Sequence, residues 1–183
     1  MKQIYDYVEV QNVLDKDLCN NIILSLDKKE WESHVWSDSS GKQLGSRDKE
    51  ELEVISPREE GVLLEKSVID CCMKYKEKHV GNFSWIKCCS PIRFNKYMVG
   101  TNMEMHVDHI HSIFDGKHKG IPIISVVGLL NDNYKGGEFI FNDEHKVELK
   151  QGDILLFPSN FLYAHRVNNI SEGTRYSFVT WGF

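Results

Sequence analysis

The sequence lacks most of the features that mark secreted, membrane-spanning or nucleic-acid-binding proteins. It has five cysteines, an odd number with no CxxC pair, so we expect reduced thiols rather than a disulfide framework or a zinc ribbon. No apolar run is long enough to cross a membrane, and the N-terminal segment lacks the apolar core of a signal peptide. The net charge of −5 offers no basic field for nucleic acid. We therefore expect a cytoplasmic protein that binds neither a membrane nor a nucleic acid.

Repeats, low-complexity tracts and Pro/Gly linkers are also absent, which predicts a single domain over residues 1–183. Two helices are predicted in its first part. Asp15 is a candidate N-cap of the first, because apolar residues recur at helical spacing after it. The second is predicted to begin at Ser56 as N-cap, with Pro57 in the first helical position and Glu59 completing a capping box.

From Asn82 onward, short β-rich runs alternate with turn residues such as Gly and Asn-Asp. A further short strand is predicted near residues 5–13, and residues 30–55 are expected to form a long loop or irregular strands. Helices followed by many short strands predict an α+β domain built on a jelly-roll barrel, with helical support over about 1–82 and a β core over about 83–183. The predicted core strands lie near 84–89, 91–98, 102–106, 122–130, 138–141, 145–149, 153–157, 162–167 and 175–182.

A metal site is indicated by the triplet His106-Val107-Asp108 at the end of a predicted strand. Residues i and i+2 of a strand point to the same face, so this imidazole and this carboxylate would converge. His165, within a later apolar strand, would be the third ligand of a two-histidine, one-carboxylate site, which binds Fe(II) and leaves positions open. Taken alone, the triplet could arise by chance, and His165 could be a core histidine bonded to a carbonyl.

A carboxylate-binding site is indicated on the last predicted strand, where Arg175, Ser177, Val179 and Trp181 share one face. A guanidinium with a hydroxyl beside it suits a carboxylate, since arginine can bind it bidentately. Tyr97, which precedes the metal triplet, has a phenol that could donate to the same carboxylate. The alternatives are a surface arginine at a strand end and a core tyrosine.

Together these residues resemble the prolyl-4-hydroxylase-type branch of the 2-oxoglutarate/Fe(II)-dependent oxygenases. The resemblance covers half of the chain, from about Arg93 to Phe183, and its pieces follow the family's order. The matching segments are Tyr97-Met98-Val99-Gly100, His106-Val107-Asp108, residues 129–139 with Gly136-Gly137, residues 152–158, His165-Arg166-Val167 and residues 173–177.

The resemblance implies a double-stranded β-helix and an enzyme that uses Fe(II), 2-oxoglutarate and O₂. It allows ascorbate as an additional cofactor. Three residues would bind the iron: His106, Asp108 and His165. Four residues would form the 2-oxoglutarate pocket: Arg175 on the distal carboxylate, Tyr97 and Ser177 beside it, and Trp181 as a wall.

The implied reaction is hydroxylation of an unactivated C–H bond in a peptidyl or free amino-acid side chain, prolyl first, with succinate and CO₂ as coproducts. Arg175 stands where collagen-type and plant-type prolyl hydroxylases tend to have lysine, so prolyl specificity does not follow. Two alternatives are an oxidative demethylase of nucleic acid and a non-catalytic metal-binding barrel. Repair demethylases carry a second arginine at the position of Trp181, and the demethylase is disfavoured for that reason. The oligomeric state is left open.

Several histidines beside the metal triplet have no assigned role. His109 and His111 would either line the mouth of the site or be solvated loop residues. The segment 109–120 is long enough to cover a substrate and could equally be a passive connection.

Overall fold

The computed structural model describes residues 2–37, 43–45, 52–83, 85–108 and 121–183. The helices are α1 (Lys16–Leu26) and α2 (Arg58–His79), and single 3-10 turns cover Ile4–Tyr7 and Phe161–Tyr163. The strands are β1 (Glu9–Asn12), β2 (Glu32–Ser33), β3 (Trp36–Ser37), β4 (Gln43–Gly45), β5 (Glu53–Ile55), β6 (Arg93–Tyr97), β7 (Met103–His106), β8 (Ile124–Leu129), β9 (Lys135–Gly136), β10 (Phe139–Phe141), β11 (His145–Val147), β12 (Asp153–Pro158), β13 (His165–Val167), β14 (Ile170–Glu172) and β15 (Arg175–Gly182).

Helix α1 begins at the N-cap that the sequence predicts, whereas α2 does not. The Asp15 side chain accepts hydrogen bonds from the backbone N–H groups of Asp17 and Leu18, which confirms the predicted N-cap of α1. At α2 the prediction was wrong: Pro57 is the N-cap, the helix begins at Arg58, and no side chain caps it. Pro57 keeps an extended ψ of 129°, so the first helical position moves one residue on, and Ser56 lies outside the helix.

Two antiparallel sheets face each other and form the jelly-roll core that the sequence predicts. The major sheet has the strand order β1-β12-β8-β15-β6-β5-β2, and the minor sheet has the order β11-β10-β13-β7. Three strands of the major sheet come from the first 82 residues, so the N-terminal part contributes to the β core as well as supporting it with helices. The single-domain organisation stays a prediction.

The central strands of the major sheet, β8, β12 and β15, are buried on both faces, because their side chains alternate between two apolar layers. On β12, Ile154 and Leu156 pack with the helices, whereas Leu155 and Phe157 point toward the minor sheet. On β15, Phe178 packs with the helices and Val179 faces the minor sheet. The helices, the major sheet and the minor sheet are therefore three successive layers. The cavity described below lies between the two sheets.

Some of the predicted strands differ in extent from those observed. The predicted strand near 5–13 divides into the 3-10 turn Ile4–Tyr7 and β1. Residues 85–89 contain no strand, contrary to the prediction, and only Cys89 forms an isolated bridge, with Gly182. Pro91, which has no N–H to donate, follows this segment and interrupts the ladder.

The strand predicted over 162–167 begins only at His165, after a 3-10 turn. The short pair β9 and β14 was not predicted. Among the described residues, no helix combines the length and the apolar character needed to cross a membrane.

A pair of glycine substitutions tests this packing. Gly128 lies in β8 against the buried ring of Phe178, and a Cβ added there would come within 2.0 Å of the ring carbon Cε1. We expect Gly128→Ala to lower the free energy of unfolding by about 1–3 kcal/mol, measured by urea denaturation.

Gly61 in α2 is the matched control, because a Cβ there would lie 3.5 Å from Cβ of Ile92, an ordinary contact. We expect Gly61→Ala to be neutral or stabilising by up to about 1 kcal/mol, since alanine favours a helix over glycine. Equal effects at the two positions would contradict the close packing of Gly128 on Phe178.

Candidate metal centre

Two strands of the minor sheet bring the three predicted metal ligands together. β7 ends at His106 and β13 begins at His165, and these two residues are directly opposite each other in the antiparallel pairing. Asp108 follows β7 by two residues. The three side chains each offer one ligand atom, and these atoms lie within 4.8 Å of one another. Oδ1 of Asp108 lies 3.5 Å from Nε2 of His106 and 3.9 Å from Nε2 of His165.

The orientation of both imidazole rings is set by backbone carbonyl groups. Nδ1 of His106 lies 2.8 Å from the carbonyl oxygen of Glu104, and Nδ1 of His165 lies 3.0 Å from that of Tyr163. A carbonyl oxygen only accepts, so each Nδ1 carries the proton and each Nε2 presents a lone pair on the side of Asp108. Metal-binding histidines use their second nitrogen in this way. The sequence did not indicate these two partners.

The protonation states also suit a cation. Burial lowers the pKa of His165 from 6.5 to about 4, so this ring is neutral at neutral pH. Phe139 stacks on it at 5.1 Å between ring centroids, and Phe157 meets it edge-on at 4.9 Å. Burial also works to raise the pKa of Asp108, but His165 and His106 outweigh it and hold that pKa well below its usual range. A carboxylate, the neutral imidazole of His165 and the imidazole of His106 therefore face one point.

One further observation indicates that this cluster lacks a partner. Oδ2 of Asp108 is buried and has no hydrogen-bond partner among the described residues. A buried carboxylate oxygen without a partner carries a desolvation cost that a bound cation would remove. Two imidazoles and a carboxylate are the donor set of non-haem Fe(II) sites. The residues present therefore fit a divalent transition-metal ion.

Arg175 lines the same cavity and is only 1% exposed. Its Nη1 donates to Oγ of Ser177 at 2.8 Å, and its guanidinium carbon lies 4.9 Å from the ring centroid of Tyr97, the residue opposite it in the β6–β15 pairing. Its Nε has no partner, and no carboxylate of the described residues forms an ion pair with it. A buried guanidinium without a counter-ion is a receptor for an anion.

A glycine pair leaves room for the Arg175 side chain. Gly137 has φ of +67°, a conformation that favours glycine, and a Cβ at this position would lie 3.1 Å from Cδ of Arg175 and 2.5 Å from Cδ1 of Ile170. Gly136-Gly137 was part of the family resemblance, and the structure supplies its physical reason.

All seven predicted site residues line one cavity. Two polar residues of its wall, Arg93 and Asn95, were not predicted from the sequence. Both lie on β6 at two-residue spacing from Tyr97, so strand periodicity was the signal that would have found them. The complete lining is Arg93, Asn95, Tyr97, Met103, His106, Asp108, Val127, Phe139, His165, Val167, Arg175, Ser177, Val179 and Trp181.

Among the described residues, no histidine other than His106 and His165 lines the cavity. His109, His111 and the proposed covering segment 109–120 lie outside the described residues. His145 stacks on Tyr5 with 4.2 Å between ring centroids and does not line the cavity.

Comparison with known sequences gives a consistent picture. Residues 92–183 match the family model described as the 2OG-Fe(II) oxygenase superfamily. A PKHD-type hydroxylase of Psychrobacter sp. (strain PRwf-1) is 37% identical over 101 residues, which are 52% of this chain and 38% of that protein. A PKHD-type hydroxylase of Idiomarina loihiensis is 25% identical over 185 residues, 95% of this chain and 76% of that protein. The chain therefore covers less than half of the first relative's length.

Comparison with solved structures gives the fold. A prolyl hydroxylase of Trichoplax adhaerens, solved with a peptide of the hypoxia inducible factor oxygen degradation domain, superimposes with a TM-score of 0.71 at 18% identity, over 96% of this chain and 83% of that one. A prolyl-4-hydroxylase of Pseudomonas putida has a TM-score of 0.68 at 18% identity, over 96% and 91%. The predicted double-stranded β-helix is confirmed.

Removing one candidate ligand tests the metal centre. We expect Asp108→Ala to weaken Fe(II) binding more than about 100-fold, because losing a ligand should cost at least as much as losing an outer partner of a ligand, which costs about 10–100-fold. The measurement is anaerobic calorimetric titration of metal-free protein.

His145→Ala is the matched control, since it removes an imidazole that lies outside the cavity. It should bind Fe(II) like the unchanged protein. Unchanged binding by the Asp108→Ala variant would show that these three residues do not hold the metal.

Proposed function

The chain belongs to the 2OG-Fe(II) oxygenase superfamily, and on that premise we propose that it is an Fe(II)- and 2-oxoglutarate-dependent dioxygenase that hydroxylates an unactivated C–H bond. The substrate class that we propose is a peptidyl or free amino-acid side chain, prolyl first. Succinate and CO₂ are the coproducts. Ascorbate stays a prediction.

One observation carries this proposal: a buried guanidinium without a counter-ion shares a cavity with a buried carboxylate that lacks a cation. Arg175 and Asp108 are both within the two-sheet cavity, and each has a buried polar atom without a partner. A metal ion beside Asp108 and a dicarboxylic acid that reaches Arg175 would satisfy both ends together. A plain structural domain would have no reason to keep two such groups apart and unpaired.

The roles of the side chains follow from their positions. His106, Asp108 and His165 would hold Fe(II) on one face and leave the opposite positions open. The bound iron and 2-oxoglutarate supply the oxidative chemistry with O₂. Arg175 and Ser177 would bind the distal carboxylate of 2-oxoglutarate, and Tyr97 would pack beside it with its phenol. This set of contacts would fix the cosubstrate before any substrate binds.

The apolar part of the lining would exclude water from the reacting groups. Phe139, Val127 and Val179 separate the polar residues along the cavity wall. Trp181 is half-buried and would wall the end of the cavity beside the metal ligands. A dry cavity strengthens the charge interactions inside it and protects reactive species from side reactions.

The substrate class rests on the relatives. Those reported above are named PKHD-type hydroxylases, and the solved structures are named prolyl hydroxylases. These names support an amino-acid side chain as the target. The alternative of a nucleic-acid demethylase has no support from the cavity, because Trp181 stands where that branch carries its second arginine.

The cosubstrate site is tested by replacing Arg175. Fe(II) and then 2-oxoglutarate are added anaerobically to metal-free protein, and the weak visible charge-transfer band of a chelated 2-oxo acid is recorded. We expect Arg175→Gln to raise the 2-oxoglutarate concentration for half of the band by roughly one to two orders of magnitude, since losing a charged hydrogen-bonding partner costs about 1.5–3 kcal/mol.

Two further variants make this result specific. Arg175→Lys keeps the charge with fewer donors and should fall between the glutamine variant and the unchanged protein. Arg58→Gln removes the same charge from the exposed start of α2 and should have no effect. Metal binding with no band in the unchanged protein would favour the non-catalytic metal-binding barrel instead.

A further inference from the structure

A second arginine, Arg93, lies in the cavity with no role in the proposed cosubstrate site. It begins β6, and its guanidinium carbon lies 5.2 Å from the ring centroid of Trp181. Within the described part of the chain, its Nε is buried without a partner, and so is Nε1 of Trp181. Stacking on an aromatic ring uses the face of the guanidinium and leaves its in-plane N–H groups available. Two neighbouring donors therefore lack an acceptor.

The backbone positions of Arg93 and Arg175 are farther apart than the two carboxylates of a small diacid. In the β6–β15 pairing, Tyr97 is opposite Arg175 and Arg93 is opposite Val179, so four residues separate the two arginine levels. This corresponds to about 13 Å along the strands. The Arg93 guanidinium stacks on Trp181, which lies two residues beyond Val179 on β15 and is therefore still farther from Arg175. The two carboxylates of a five-carbon diacid are only roughly 5 Å apart, from carbon–carbon bonds of about 1.5 Å.

The Arg93 end of the cavity is instead the metal end. Trp181 is opposite Ser125 of β8, and the side chain of Ser125 is among the groups that lower the pKa of Asp108. Among the described residues, Asp108 is the one carboxylate that acts on the pKa of Arg93, which burial lowers. Arginine stays charged in proteins, so this cation remains beside the proposed iron position.

A count of the charges in the proposed complex shows that Arg93 lacks a counter-ion among the described residues. In the proposed complex, the two positive charges of the metal and the one of Arg175 are offset by Asp108 and the two carboxylates of 2-oxoglutarate. The positive charge of Arg93 is then left over. No carboxylate of the described residues forms an ion pair with it. A half-buried guanidinium in this position favours an anionic ligand.

We propose that Arg93, held by the ring of Trp181, binds a carboxylate of the primary substrate next to the C–H bond that is hydroxylated. The substrate would then be an acidic peptide or an amino acid with a free carboxylate. This inference rests on the proposed function and specifies the substrate class of that site.

The test uses the anaerobic protein with Fe(II) and 2-oxoglutarate bound. Two mixtures of N-acetylated, C-amidated tripeptides are compared, in which the central position holds every uncharged amino acid. The flanking residues are Asp and Glu in one mixture and Asn and Gln in the other. A second comparison sets the free uncharged L-amino acids against their amides. Apparent Kd values come from calorimetry, and the change in the visible band reports binding near the metal.

We expect an acid-bearing mixture to bind at least about tenfold more tightly than its amide counterpart. The comparison that shows this preference identifies an acidic side chain or a free carboxylate as the source. Arg93→Gln should abolish the preference, Arg93→Lys should keep part of it, and Arg58→Gln, which removes a distant exposed charge, should keep all of it. Circular dichroism checks that each variant is folded.

Three results would overturn the proposal. The first is equal binding within both comparisons, and no binding at all counts as equal. The second is a preference that survives Arg93→Gln. The third is a larger loss of 2-oxoglutarate binding than of acid binding in that variant, which would assign Arg93 to the cosubstrate. A missing visible band in the unchanged protein would reject the proposed function and this inference together. A normal band without an acid preference would reject this inference alone.

Discussion

Burial of the central strands of the major sheet on both faces is the constraint on which the rest of the molecule depends. The strands β8, β12 and β15 lie between a helical layer and a second sheet, so each must supply apolar side chains in both directions. Any polar side chain on the inner face is then far from bulk water and must find its partners within the cavity. Arg175 donates a hydrogen bond to Ser177 there, but Nε of Arg175 has no partner among the described residues. A bound ligand would supply the partner that this buried donor lacks.

The two sheets contribute different chemistry to the cavity. The minor sheet supplies the imidazoles and the neighbouring carboxylate, whereas the major sheet supplies the arginines and their aromatic neighbours. Facing sheets are separated by about 10 Å, so the distance from metal to cation is set by sheet packing and strand register rather than by a loop. Strands hold side chains more rigidly than loops do, which suits a site whose parts must stay in place before the ligands arrive.

The two arginines of β6 and β15 illustrate how register separates two cationic side chains within one cavity. They lie on adjacent antiparallel strands, but the pairing places their levels four residues apart. Each stacks on an aromatic ring of the other strand, Arg175 on Tyr97 and Arg93 on Trp181. One sheet therefore places two guanidinium groups in the same cavity, each over an aromatic ring.

The family and the candidate ligands were predictable from the sequence because they depend on local spacing. His106 and Asp108 share a face through the two-residue period of a strand, and Arg175, Ser177 and Trp181 follow the same rule. The order of these segments along the chain carried the resemblance, which the family match confirms. The N-cap at Asp15 was equally local. Their roles as ligands stay predictions that the geometry supports.

Tertiary structure decided everything that depends on which strands meet. The pairing of β7 with β13 sets His165 opposite His106, and backbone carbonyls, which no residue code reveals, orient both rings. The strand that the local sequence predicts at residues 85–89 is absent, because the ladder is interrupted near Pro91. Arg93 was visible in the sequence as one charge among many. Only the packing of β6 beside β15 distinguishes it from a solvated surface residue, because burial is a property of the whole fold. That packing buries the charge over Trp181 with no counter-ion among the described residues.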